Sequence, residues 1–357
     1  MTASERRIVV TGAGGFIGGR LVEALLQHPE VGRVVPTVRR WSSLARIGRY
    51  PIEALHCDVL EPLSVGAVAQ GVDTIVHCAV GGRAATVQGT TNVLEAALAH
   101  QVRRIIHIST IDVYGRAEGT VGEDHPLQRT GREYGDSKIE AEEACRAFVE
   151  RGLDVVILRP TIVYGPFSDL WTLQFAERLH RGNWTLPASA CQGTCNLVYV
   201  DDLVSAVLLA VDADVSPGSA YNVNGPDRVT WQEYVEALNA GLGLPTLQPP
   251  AEGQARLKTR LMEPIRQVVK RGYATFEEPV QWVYKRSRPA RRFIKSVEGL
   301  LRSVPAPAEY DLYGRVVDFP THRAHTELGY CPSIDAQSGV RQSVAWLRHE
   351  ADFASNS

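Results

Sequence analysis

Tyr134 and Lys138 have the residue types and the spacing of a proton-transfer pair. Side chains four residues apart on a helix lie on one face, about one turn from each other. The positive charge of a lysine favours the ionised form of a nearby phenol, whose usual pKa of about 10 keeps it from acting as a base near neutral pH. Thr110 lies upstream, where its hydroxyl can hold the oxygen whose proton is in transit. The pattern predicts acid–base chemistry; a solvated helix face is the alternative, because such pairs are common by chance.

Glycines separate the first apolar strand from the helix that follows it. Gly12 permits a tight turn, Gly15 lets backbone amides approach a pyrophosphate, and Gly18 lets the helix pack closely on the strand. The positive end of the helix dipole then faces the anion. This layout predicts a dinucleotide site, and a purely structural turn is the alternative interpretation.

Strand-like and helix-like runs alternate through the first half of the chain, which predicts successive βαβ units. Strands are predicted at 34–38, 74–78, 104–109 and 155–158, and helices at 21–27, 90–100 and 137–151. Ligands in such sheets bind beyond the carboxyl ends of the strands, where Gly12, Ala79, Thr110 and Pro160 all fall. We therefore predict an α/β fold built on a Rossmann-type doubly wound parallel sheet.

With these motifs the chain resembles the extended short-chain dehydrogenase/reductase family of nucleotide-sugar epimerases, dehydratases and related reductases. The resemblance covers nearly the whole length and fades between about 246 and 318. Besides the glycines and the Tyr134/Lys138 pair, it is carried by Asp58-Val59, His77-Cys78-Ala79, Asn92, Ser109-Thr110, Leu158-Arg159-Pro160, Val198–Asp202, Glu327–Tyr330 and Ala345–Leu347.

The resemblance implies roles for four catalytic candidates. Tyr134 becomes the catalytic base or acid, Lys138 its electrostatic partner and a ligand of the nicotinamide ribose, and Thr110 the hydroxyl that orients the substrate. Asp112 either acts on the substrate or caps the following loop. Ile111 stands where dehydratases of the family carry the first of two carboxylates, so a two-carboxylate elimination is in doubt.

The cofactor expected is NADP, with NAD second. Arg39 and Arg40 follow the second strand without a carboxylate, and guanidinium groups there favour a ribose 2′-phosphate. A solvated turn is the alternative. Asp58 is expected at the adenine amine. The residues expected to contact the cofactor are Gly12, Gly15, Phe16, Ile17, Gly18, Arg39, Arg40, Asp58, Val59, Cys78, Ala79, Val80, Ser109, Tyr134, Lys138, Pro160 and Ile162.

Two domains are expected from the length. Residues 1–165 form the NADP-binding Rossmann domain, with 196–225 completing its sheet, and 166–195 with 226–357 form a smaller substrate lobe. Trp171, Phe175 and Trp184 line the substrate or belong to the core of that lobe.

A helical basic insertion is predicted at 246–318 within the substrate lobe. Its clustered positive charge predicts a cap over the substrate cleft or a peripheral membrane contact, and a solvated helix face is the alternative. Its cations are Arg256, Lys258, Arg260, Arg266, Lys270, Arg271, Lys285, Arg286, Arg288, Arg291, Arg292 and Lys295.

Composition narrows the function class. A net charge of -2 over 357 residues gives no general attraction to nucleic acid. No apolar run approaches membrane-spanning length and no signal peptide is evident, so a cytoplasmic location is expected. The six cysteines are scattered and expected as free thiols. Cys191 and Cys195 lack a second ligand pair, so no metal site is expected.

The function expected is hydride transfer to or from a secondary alcohol or ketone of a nucleotide-linked sugar, as an epimerase or a reductase. A reductase or dehydrogenase of a non-sugar alcohol is one alternative. A regulator that binds NADP without turnover is the other, and the presence of both Tyr134 and Lys138 argues against it. Likeness to the family implies a homodimer through the helices at 90–100 and 137–151.

Overall fold

The structure, a computed structural model, describes residues 6–28, 31–182, 184, 186–275 and 304–350. The strands of this part are β1 (Arg7–Thr11), β2 (Arg33–Val38), β3 (Leu55–His56), β4 (Thr74–His77), β5 (Arg104–Ile108), β6 (Gly119–Thr120), β7 (Val155–Pro160), β8 (Ile162–Tyr164), β9 (Thr194–Cys195), β10 (Leu197–Tyr199), β11 (Ala220–Val223), β12 (Val229–Thr230) and β13 (Val317–Asp318). The helices are α1 (Phe16–Leu25), α2 (Pro62–Ala69), α3 (Arg83–Ala99), α4 (Glu133–Glu150), α5 (Gln174–His180), α6 (Val200–Asp212), α7 (Trp231–Gly241), α8 (Glu252–Thr275), α9 (Pro307–Gly314), α10 (His322–Leu328) and α11 (Ala336–Leu347).

Seven strands form one parallel sheet in the order β3-β2-β1-β4-β5-β7-β11. The chain starts in the middle at β1, builds outward to β3, then returns to β4 on the other side. This reversal is the switch point at which doubly wound sheets bind ligands. The predicted Rossmann-type α/β fold is confirmed.

The helices begin earlier than their apolar periodicity predicts. α1 begins at Phe16, α3 at Arg83 and α4 at Glu133, each several residues before the predicted start. Their first turns lack a spaced row of large apolar residues: that of α1 is half glycine, and those of α3 and α4 consist mainly of polar residues, alanine or glycine. Tyr134 therefore lies in the first turn of α4.

The described residues fall into two compact units. The first comprises the chain up to Asp169 with Asn196–Asp227 and Val317–Gly339, and the second comprises Leu170–Cys195, Arg228–Val316 and the residues from Val340 onward.

Val317–Gly339 was expected in the substrate lobe but belongs to the first unit. β13 pairs with β6, and the hydroxyl of Tyr330 donates to the carbonyl oxygen of Asn224 at 2.9 Å. The Asp202 carboxylate accepts the backbone N–H of Ser333 at 2.8 Å. These buried hydrogen bonds hold the returning segment against the sheet.

The second unit is organised around packed aromatic rings. Trp231 is fully buried, with its ring centroid 4.5 Å from that of Tyr313 and 6.0 Å from that of Phe175. Trp184 is buried in the same cluster. Of the two roles predicted for these aromatics, Phe175 and Trp184 have the core role, because both are buried. Trp171 keeps part of its surface exposed.

A buried ion pair ties α4 to the sheet. Arg159 of β7 donates two hydrogen bonds to the Glu142 carboxylate, at 2.9 and 2.7 Å, and both side chains are almost fully buried. Burial opposes the charge of Arg159, but hydrogen bonding to Glu142 and its negative charge outweigh that effect and raise the arginine pKa. Arg159 also donates to the Tyr114 hydroxyl at 2.8 Å.

Replacing Glu142→Gln should lower the free energy of unfolding by about 3 kcal/mol, because it leaves the buried Arg159 charge without its counterion. The measurement is equilibrium unfolding in urea. The control is Glu143→Gln, which removes an exposed ion pair with Arg129 and should cost less than about 1 kcal/mol. Equal losses in the two variants would contradict the buried pair as a determinant of stability.

Candidate active site

The turn after β1 fits only glycine at two positions. Gly12 has a φ of +67°, and a Cβ there would lie 2.8 Å from the backbone nitrogen and Cα of Ala79. A Cβ on Gly18 would overlap the carbonyl oxygen of Gly12. The absence of side chains therefore brings together the end of β1, the start of α1 and the residues after β4.

His77 fixes this approach through a chain of hydrogen bonds. The Thr90 hydroxyl donates to the carbonyl oxygen of Thr86 at 2.6 Å, so it accepts from His77 Nε2 at 3.1 Å. Nδ1 of His77 is then the acceptor for the Thr11 hydroxyl at 2.7 Å. The Thr11 oxygen in turn accepts the N–H of Ala79 at 3.2 Å. The imidazole is neutral, and it links β1, β4 and α3.

A cavity of about 310 Å³ opens beside this turn. Arg39 and Arg40 line it, together with Asp58, whose Oδ1 also accepts the N–H of Leu60 at 3.0 Å. The other lining residues are Gly12, Gly14, Gly15, Val38, Ser43, Cys57, Val59, Cys78, Ala79, Val80 and Ala85. The arginines and the backbone of the glycine turn give the cavity the character of an anion site.

The cavity gathers nine of the predicted cofactor residues. The predicted residues outside its lining are Phe16, Ile17, Gly18, Ser109, Tyr134, Lys138, Pro160 and Ile162. It also includes Gly14 and Ser43, which the sequence reasoning missed. A Cβ on Gly14 would overlap the side chain and the carbonyl oxygen of Ser43, so the second glycine of the run was the available signal.

Tyr134, Thr110 and Asp112 form a second cluster. The Thr110 hydroxyl accepts the N–H of Asp112 at 3.2 Å, and its interaction with the phenol favours the ionised form of Tyr134. A Cβ on Gly135 would lie 3.2 Å from Oδ2 of Asp112, so glycine admits this carboxylate beside α4. Arg132 approaches the same carboxylate at 3.5 Å. Tyr134 is 49% exposed, so the cluster opens to solvent.

The pKa of Tyr134 is raised in this structure. Partial desolvation of the half-exposed phenol is the largest cause, the interaction with Thr110 opposes it, and the negative charge of Asp112 adds to it. The sequence led us to expect a pKa lowered by Lys138, and Lys138 is not among these causes.

Lys138 is buried and its ammonium donates to the carbonyl oxygen of Ile108 at 2.6 Å. Burial lowers its pKa to about 8, against the opposing effect of neighbouring acidic groups that include the Cys78 thiol. Burial, and to a lesser extent the Lys138 charge, lower the pKa of His77 to about 3. Because the Ile108 carbonyl at the end of β5 accepts from it, the Lys138 ammonium lies at the carboxyl edge of the sheet. The residues after β4, at the same edge, line the cavity.

Other predicted residues have structural partners. The Ser109 hydroxyl donates to Oε1 of Glu142 at 2.6 Å and so faces the interior, not a ligand. The Val59 carbonyl accepts from Asn92 Nδ2 at 2.9 Å. Pro160 ends β7 beside β11, and Ile162 begins β8.

Glu133 is a residue that the sequence reasoning missed. Its Oε1 accepts the N–H of Arg83 at 3.0 Å, so it satisfies a free amide at the start of α3. Since Glu133 precedes Tyr134, this bond holds the first turn of α4 against α3. In the sequence, the only indication of this role is that an acidic residue directly precedes Tyr134.

No group of His, Cys, Asp and Glu in the described part of the chain could hold a metal ion. The six cysteines are free thiols, and Cys191 and Cys195 are buried. Within the same residues no helix is long and apolar enough to cross a membrane. The predicted cations from Lys285 to Lys295 lie outside the described residues.

Comparisons with known proteins agree with this geometry. The sequence model of the NAD dependent epimerase/dehydratase family matches residues 8–224. The 2-alkyl-3-oxoalkanoate reductase of Stenotrophomonas maltophilia is 28% identical over 264 residues, which cover 67% of this chain and 76% of that protein. The sterol demethylase protein B of Methylococcus capsulatus is 27% identical over 354 residues, covering 95% of this chain and 98% of that protein.

Solved structures share the fold. The UDP-glucuronic acid 4-epimerase from Bacillus cereus, crystallised in complex with NAD, superimposes with a TM-score of 0.71 at 19% identity. The match covers 96% of this chain and 98% of that one. At this identity the likeness supports the architecture alone.

Replacing Gly12→Ala should weaken dinucleotide binding at least about tenfold, since the new Cβ meets the backbone of Ala79 and the φ of +67° disfavours any side chain. Titration with NADPH and NADH, followed by protein fluorescence, measures the change. Gly122→Ala is the control because its Cβ meets nothing within 4 Å and its φ is not positive. Unchanged binding in Gly12→Ala would show that the glycine turn is only structural.

Proposed function

The chain belongs to the NAD-dependent epimerase/dehydratase family, and we propose that it is an oxidoreductase-type enzyme acting on a secondary alcohol or ketone. The observation that carries this proposal is the cluster of Tyr134, Thr110 and Asp112 in the same unit as the anion cavity. Lys138 follows Tyr134 by one turn of α4, and its ammonium donates to the Ile108 carbonyl at the end of β5, the strand next to β4, whose following residues line the cavity.

The chain's own residues have distinct tasks in this proposal. When bound, a nicotinamide dinucleotide supplies or accepts the hydride. Tyr134 exchanges a proton with the substrate oxygen, and Thr110 holds that oxygen through its hydroxyl. Lys138 contributes positive charge and ribose binding, while Asp112 orients a substrate hydroxyl. Because burial raises the pKa of Tyr134, the phenol keeps its proton in this structure and is suited to donate it during reduction.

The residues present fit a dinucleotide. Gly12 and Gly18, where a Cβ would collide with backbone, let the turn lead directly into α1, whose first N–H groups lack partners within the helix and suit an anion. We propose NADP as the preferred form because Arg39 and Arg40 line the cavity. The Bacillus cereus neighbour was crystallised with NAD, so both forms belong in the test.

Two substrate classes are supported by different observations. Nucleotide-linked sugars are the substrates named for the solved neighbours. A lipophilic hydroxy or oxo compound is the second candidate, because the Stenotrophomonas and Methylococcus relatives are named for an oxoalkanoate and a sterol. Ile111, which replaces a dehydratase acid, is compatible with both. We propose the sugar as the primary class and the non-sugar alcohol as the alternative.

We also propose a homodimer in the cytoplasm, formed through α3 and α4. These helices pack on each other within one chain and carry exposed ion pairs such as Arg151 with Glu95. The mass in solution, from sedimentation equilibrium, would contradict the proposal if only monomer is found.

Tyr134→Phe should reduce turnover by about a hundred- to ten-thousand-fold, the range that general acid–base catalysis contributes. NADPH affinity should stay within about twofold, since the phenol hydroxyl, not the ring, is removed. The assay is a panel of nucleotide sugars, 3-oxoacyl compounds and hydroxysteroids, with nicotinamide absorbance and product analysis as readouts.

Tyr50→Phe is the control, because the Tyr50 hydroxyl contacts only the exposed Arg49 among the described side chains. The panel member that gives Tyr134-dependent turnover decides between sugar and non-sugar substrates. Cofactor binding without any Tyr134-dependent reaction would favour the regulator that binds NADP without turnover.

Replacing Arg39→Gln together with Arg40→Gln should weaken NADPH binding by about tenfold to a hundredfold and leave NADH binding nearly unchanged. In this proposal each guanidinium donates a charge-assisted hydrogen bond to the 2′-phosphate, which NADH lacks. The control is Arg49→Gln, an exposed arginine outside the cavity lining. Equal weakening for both nucleotides would overturn the NADP preference.

A further inference from the structure

Helix α8 of the second unit has one face packed and one face open. Ala255 and Thr259 are buried, and the Thr259 hydroxyl hydrogen-bonds the carbonyl oxygen of Pro305 at 3.1 Å. Arg266 donates to the same carbonyl at 3.0 Å. These contacts fix which face of the helix is turned toward the protein.

The opposite face carries an aliphatic stripe. Leu257, Leu261, Ile265 and Val268 are spaced by four, four and three residues, so they lie along one side of the helix. They are 59%, 65%, 49% and 70% exposed. Four large aliphatic side chains in contiguous contact with water are unfavourable and mark an interaction surface.

Free cations flank this stripe. Lys258 and Arg260 are exposed, and neither makes an ion pair or a hydrogen bond with any described residue. Arg256, by contrast, is paired with Glu252. In the sequence, twelve Lys and Arg stand against three Glu between positions 256 and 295, although the whole chain has a net charge of -2. Among the described side chains, the open face of α8 therefore combines an aliphatic stripe with the exposed positive charges of Lys258 and Arg260.

We propose that α8 docks on an anionic lipid surface. The aliphatic stripe enters the boundary of the acyl chains, and Lys258 and Arg260 contact the headgroup phosphates, as in helices that lie in the plane of a membrane. A nucleic acid would satisfy the cations but would leave the stripe in water. A second copy of the chain would bring two cationic faces together.

The test uses the full-length protein in co-sedimentation with vesicles. Vesicles of phosphatidylcholine alone are compared with vesicles that also contain phosphatidylserine, at low and high salt. We expect binding to the phosphatidylserine vesicles that weakens as salt is raised. The proposal is independent of the catalytic one, because turnover of water-soluble substrates is measured without vesicles.

Two pairs of substitutions separate the apolar and electrostatic contributions. Leu261→Gln with Val268→Gln should lower the partition coefficient about tenfold or more. Lys258→Gln with Arg260→Gln should lower it about fivefold for each charge removed, on the anionic vesicles only. Leu63→Gln is the matched control, since Leu63 is 91% exposed on α2 of the other unit. All substituted side chains are exposed, so circular dichroism should match the unmodified protein.

Several results would overturn the proposal. One is the absence of binding to phosphatidylserine vesicles. Another is an equal loss in Leu63→Gln and in the stripe variant. A shift in solution mass on substitution of the stripe would assign it to a second copy. Capture of DNA without vesicle binding would assign the cations to nucleic acid.

Discussion

Two buried charges one turn apart on α4 determine how this helix sits on the sheet. Lys138 needs the carbonyl of Ile108 as an acceptor, and Glu142 needs Arg159 and Ser109 as donors. An unpaired buried charge costs several kcal/mol, so only one register of the helix against β5 and β7 satisfies both groups. Tyr134, one turn before Lys138, is placed beside Thr110 as a consequence.

The other half of the site depends on the absence of side chains. Gly12 and Gly18 let the end of β1, the start of α1 and Ala79 approach within van der Waals distance. The neutral imidazole of His77 then ties these segments through Thr11 and Thr90. Close backbone approach and a buried hydrogen-bond chain make the turn rigid, and rigidity of this kind is what an anion site requires to hold its amides in place.

We expect the residues that select the substrate to lie in a different part of the chain from the residues proposed for catalysis. The residues proposed for proton transfer and the anion cavity belong to the first unit, whose parallel sheet is typical of its family. The second unit has its own aromatic core around Trp231 and the amphipathic helix α8. Relatives at 27–28% identity are named for sugars, oxoalkanoates and sterols, so the fold they share does not by itself set the substrate.

The sequence determined the sheet and the glycine turn, because apolar alternation and glycine requirements act over short stretches of chain, and it also singled out the residues proposed for acid–base chemistry. It did not determine where α3 and α4 begin, since polar first turns carry no periodic signal. It also did not indicate that Ser109 faces Glu142 or that Glu133 caps α3. Those partners are distant in the chain, and only the order of strands brings them together. The upward shift of the Tyr134 pKa could not be predicted from the sequence either. It depends on desolvation of the phenol and on the charge of Asp112, and both result from tertiary packing.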